Sequence, residues 1–203
     1  HFSVNSAGEN RTESTLRATR ETYQLLKTVR PATWPEEECF DAFTRSAASA
    51  ELRGHHPRVA YIGLGDTDEA AHAGHYDRYL DAAHETDHWL AELWHFLQTD
   101  PTYRGRTTLL ITTDHGRGCQ EPRQWREHNR HVPGADQVWL AALGPDTPPL
   151  GEVQQSLQLY QQQVAQTIAQ LVGCNFRPDH EVAPAIISVF KKSGDRRVAS
   201  FRN

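Results

Sequence analysis

The sequence predicts an α/β fold in which a mostly parallel sheet is flanked by helices. Three observations point there. Residues 59–64, 107–113 and 137–143 are short runs rich in β-branched, aromatic and aliphatic side chains. A long helical pattern separates the first run from the second, and another follows the third. Strands that alternate with helices pair mostly in parallel.

The elements follow in chain order. Residues 12–29 read as a helix, with Leu16, Tyr23 and Leu26 at helical spacing, and Pro31 stops it. Pro35 followed by three glutamates is a helix start, since proline suits the first turn and acids face the positive dipole end. That helix is expected to run to about Arg53, and Gly54-His-His-Pro57 makes the turn before the first strand. Residues 75–98 are the longest periodic segment, with Tyr76, Tyr79, Leu80, Ala83, Leu90, Leu93, Trp94 and Leu97 on one face. His84 and His88 share that helix four residues apart, a spacing that could clamp a metal, and are read as a hydrated face. Residues 116–133 form an irregular loop rich in Arg, Glu and His. Residues 157–172 read as an amphipathic helix, with Leu159, Val164, Ile168 and Leu171 inward and Gly173 as its C-cap. Residues 182–190 add a short apolar element. The expected organisation is a helical segment over 1–57, an α/β metal-binding core over 58–190 and a basic tail over 191–203.

Bulk composition narrows the function. At 203 residues the chain can bury a substantial core. Lys and Arg number 21 against 26 Asp and Glu, so no broad nucleic-acid partner is expected. No apolar run approaches the roughly 18 residues of a membrane span. Cys39, Cys119 and Cys174 contain no CxxC pair, which argues against a thiolate zinc site. The compartment is not legible.

Two strand ends carry chemistry. Residues 59–64 are followed at once by Asp66-Thr-Asp-Glu-Ala-Ala-His72, and residues 107–113 end in Asp114-His115-Gly116. Carboxylate and imidazole both ligate divalent transition metals. On a helical turn Asp68 and His72 project from one face and can bind one ion. Asp114 and His115 are adjacent, so their side chains diverge. His128 and His131, just before the third strand, are both candidates for a further imidazole.

The ordered set Asp68-Glu-Ala-Ala-His72, Thr112-Thr-Asp-His-Gly116 and the segment from His128 to Gly144-Pro145 resembles the alkaline phosphatase superfamily of phosphatases, phosphodiesterases, sulfatases and cofactor-independent phosphoglycerate mutases. That resemblance implies paired zinc ions, or manganese in some branches. Asp68, His72 and a late histidine, His128 in preference to His131, would hold one ion, and Asp114 and His115 the other. It implies a small anionic ester as substrate and a Ser or Thr nucleophile. No apolar strand followed by Asp occurs in residues 1–57, so no nucleophile is named. The expectation is therefore an incomplete, alkaline-phosphatase-like fold forming the C-terminal portion of a longer enzyme, with the preceding part as its partner. A catalytically silent metal-binding or interaction domain is the second reading, and a mutase-like isomerase the third.

Overall fold

The computed structural model describes residues 41–153, 158–174 and 176–191. The expected helix over 12–29, the proline-led start at 35 and all but the first residue of the 191–203 tail lie outside them. The chain divides into two compact units, with the boundary between Leu93 and Trp94.

The first unit carries α1 (Asp41–His55), α2 (Asp66–His72) and most of α3 (Tyr76–Thr99). Phe43, Thr44, Ala48 and Leu52 are buried on α1, and the last three recur every four residues along one face. Ala70 and Ala71 are buried on α2, and Trp89 and Leu93 on α3. Arg45 on α1 donates to both the carbonyl and the carboxylate of Glu85 on α3, each at 3.0 Å. The predicted face of α3 is rotated: Tyr76 and Leu80 are 56% and 39% exposed, while Trp89 is buried.

The expected mostly parallel α/β sheet is not what forms. Among the described residues there is one sheet of two strands, β1 (Leu109–Thr112) and β2 (Leu140–Leu143), and they run antiparallel. Leu109 pairs with Leu143 and Thr112 with Leu140. The physical reason lies in the connection. Parallel neighbours need a crossover, usually a helix. Residues 113–139 supply only a single 3-10 turn, Gln124–Arg126, so the chain returns on itself. Residues 59–64 adopt no strand, and Val59 and Tyr61 are 37% and 66% exposed. A β-forming sequence without a neighbouring ladder stays irregular, because strand propensity is largely a measure of packing. The described chain is mostly helix and loop, and no helix in it is long and apolar enough to cross a membrane.

In the second unit, α4 (Val164–Leu171) begins later than the Gln-rich pattern suggests. Tyr160 is extended, and its N–H donates to the Gln163 side chain at 2.8 Å, which caps the turn before the helix. Gly173 ends α4 with φ at +69°, and the N–H of Cys174 donates to the Ala169 carbonyl at 2.8 Å. This is the left-handed glycine cap that its position predicts.

Thr167 locks α4 to the segment that follows. It is fully buried, donates to the Gln163 carbonyl at 2.8 Å and accepts the N–H of Ile186 at 2.9 Å. Thr167→Val keeps the shape and strands a buried amide, so it is expected to cost about 1–3 kcal/mol in urea unfolding. An unchanged midpoint would show that the Ile186 amide finds another acceptor.

Candidate metal centre

The first donor pair is built on α2. Gly65 precedes this helix, and its carbonyl accepts the N–H groups of Asp68 and Glu69 at 2.9 and 3.1 Å. The carboxylate of Asp41 accepts the N–H groups of Gly65 and Asp66 at 2.7 and 3.3 Å. It therefore anchors the start of α2 to α1. Asp41 is 2% exposed, and burial pushes its carboxyl up despite those donors. Asp66 is pushed up to about 6, first by burial and then by the neighbouring Asp41 charge. An N–H bond from Asp41 and the Arg45 cation only partly oppose this.

With α2 fixed, Asp68 and His72 lie one turn apart, and His72 Nε2 is 3.4 Å from Asp68 Oδ2. Zinc holds nitrogen and oxygen ligands at about 2.0–2.1 Å in a tetrahedron, which sets neighbouring ligand atoms about 3.4 Å apart. The pair thus already has the separation of one tetrahedral edge. The helical turn that this pairing requires is present.

The second donor pair is built by the loop after β1. The Nδ1 of His115 lies 2.9 Å from the Gly116 carbonyl. A carbonyl only accepts, so this contact places the proton on Nδ1 and the lone pair on Nε2. Metal-binding histidines commonly use this arrangement to fix ring orientation. Gly116 N–H donates to Ala135 O at 2.8 Å, and Gly118 N–H to Glu127 O at 3.1 Å. These two bonds fold residues 127–135 back along 116–118. His128 is thereby stacked on His115, with ring centroids 3.7 Å apart and planes 7° apart. Lone pairs lie in the ring planes, and those planes are parallel, so sharing one ion requires the rings to turn out of the stack until their lone pairs converge.

The remaining predicted residues stand differently. The Asp114 side chain is 81% exposed, and its Oδ1 accepts the His115 N–H at 3.0 Å. Arg130 Nε donates to His131 Nε2 at 3.1 Å, so the lone pair on that nitrogen faces a guanidinium. His128 and His131 both line an open cleft of about 370 Å³. His115 and His128, which the family resemblance assigns to different ions, stack directly on each other.

Three contributors were not evident in the sequence. Asp41 reads there only as an acid inside a helix, and Asp66 as a turn residue. Gln161 reads as surface, yet its Nε2 donates to the Asp114 carbonyl at 3.0 Å. That bond ties the site loop to the turn before α4.

No family model, curated protein or solved structure matches this chain. The likeness to the alkaline phosphatase superfamily therefore rests on the motif residues alone.

Proposed function

We propose that this protein is a metal-dependent hydrolase of small phosphate or sulfate esters, with two pairs of metal ligands, Asp68 with His72 and His115 with His128. The observation that carries the reading is the His115–His128 stack: two imidazoles thirteen positions apart, one of them with its Nδ1 against a carbonyl, which leaves Nε2 for a metal. The Asp68–His72 separation supports it independently. Zinc fits this nitrogen and oxygen donor set, and manganese is the second choice. Such an ion supplies Lewis acidity toward the oxygens of a phosphoryl or sulfuryl group.

The chain's own residues have definable tasks in this reading. Gly116 O orients the His115 ring. Gly118 holds His128 against it. Gln161 fixes the backbone at Asp114. His131 is given no ligand role, because Arg130 already donates to its Nε2. Asp114 shapes the backbone through the His115 amide and remains a candidate donor by motif only.

The test uses p-nitrophenyl phosphate, bis-p-nitrophenyl phosphate and p-nitrophenyl sulfate with added zinc or manganese. Metal-dependent turnover is expected, abolished by chelation and reduced roughly 100-fold in His128→Ala, the scale on which loss of one site group disrupts metal binding or activity. Metal binding without turnover on any of the three esters would instead establish a catalytically silent metal-binding domain.

A further inference from the structure

A second group of imidazoles lies in the first unit, on a different element, and is not used by the proposed hydrolase site. His84-Glu-Thr-Asp-His88 falls inside α3, which is continuous helix from Tyr76 to Thr99. Side chains four apart on a helix are neighbours, with Cβ atoms about 5–6 Å from each other. Both histidines line an open cleft of about 580 Å³ between α1 and α3, with Arg45, Glu85, Trp89 and Glu92. His88 is 78% exposed, so an ion can reach it without moving the backbone.

We propose that His84 and His88 chelate a divalent transition metal on the outer face of α3. His-Glu-x-x-His on a helix is the spacing that lets two imidazoles share one ion. Local charge favours a cation, since Asp81, Glu85, Asp87 and Glu92 surround the pair. The opposing cation in the cleft, Arg45, is bound to the Glu85 carboxylate at 3.0 Å. The same contact ties up the glutamate between the two histidines. In peptidases with this spacing the intervening glutamate is the general base, and here the guanidinium occupies it. His88 Nε2 now lies 3.4 Å from Glu92 Oε1. Glu92 is the competing partner, and chelation turns the exposed His88 ring back toward His84.

The test is titration of nickel or zinc by calorimetry into the full chain carrying His72→Ala, His115→Ala and His128→Ala, which removes the imidazoles of the proposed hydrolase ligands. One ion per chain is expected. His84→Ala or His88→Ala in that background should weaken binding at least tenfold, while Glu92→Ala should leave it within about twofold. Copper should quench the fluorescence lost in Trp89→Phe, because that ring lines the cleft. Unchanged affinity in His84→Ala would overturn the proposal, as would a larger loss in Glu92→Ala, which would assign the chelate to His88 and Glu92. Failure here leaves the hydrolase reading untouched, since the imidazole ligands of that reading are absent from the tested protein.

Discussion

Gly116→Ala is expected to destabilise the protein by about 3 kcal/mol and to remove the His115–His128 metal set with it. A Cβ at position 116 would overlap the carbonyl oxygens of Gly134 and Gln137. Both are backbone atoms, so no side chain can swing aside. The loop must move, and the Gly116–Ala135 hydrogen bond that folds it back must lengthen or break. Gly118 is under the same constraint, because its Cβ would meet the backbone of Gln124. Gly54, on α1, is the control: nothing lies within 4 Å of a Cβ there. Gly54→Ala is expected to stabilise by about 0.5–1 kcal/mol, since alanine loses less backbone entropy in a helix. Urea unfolding of the two variants, with and without zinc, distinguishes close packing from a general intolerance of substitution. Equal midpoints for Gly116→Ala and the parent would show that the loop has slack.

Asp66→Asn is expected to stabilise the protein at neutral pH by about 2 kcal/mol and to do nothing at pH 4. Asp66 is held near 6 in the fold, above its ordinary value of 3.8. A carboxyl with a raised folded pKa favours the folded state while protonated. Its contribution is therefore complete below about pH 4 and is lost as pH rises through 6. A gap of about two pKa units corresponds to about 3 kcal/mol, and partial exposure reduces this to about 2. Asparagine cannot ionise, and its carbonyl still accepts the Asp41 N–H. Urea midpoints at pH 4 and pH 7.5 measure the difference directly. A gain of the same size at both pH values would mean that the charge on Asp66 is not what costs stability.

The sequence made some of this legible and hid the rest for identifiable reasons. The long helix over Tyr76–Thr99 was readable because its apolar spacing persists for six turns. Which flank of that spacing is covered was not readable, so Trp89 is buried where Tyr76 was expected. The α2 turn was readable from the carboxylate and imidazole four apart. Strand direction was not, because it depends on what lies between strands, and residues 113–139 carry polar and glycine-rich sequence that neither declares nor excludes a helix. The apolar run at 59–64 was misleading for a related reason: it states what a strand would be made of, and nothing about a partner. The tie between Asp41 and the start of α2 joins positions 24 and 25 residues apart, and no local pattern announces it. At the site, the family resemblance paired Asp114 with His115, whereas the loop folded by the glycines at 116 and 118 stacks His128 on His115.

The most direct measurement is zinc affinity by calorimetry in the chain carrying His84→Ala and His88→Ala, compared with the same chain bearing His115→Ala, His128→Ala or both. If the stacked imidazoles bind a common ion, each single substitution weakens binding at least tenfold, about 1.4 kcal/mol. The double substitution then adds much less than the sum, since either alone already breaks the chelate. Affinity that stays within twofold in both single variants would contradict the assignment of this pair as a metal centre.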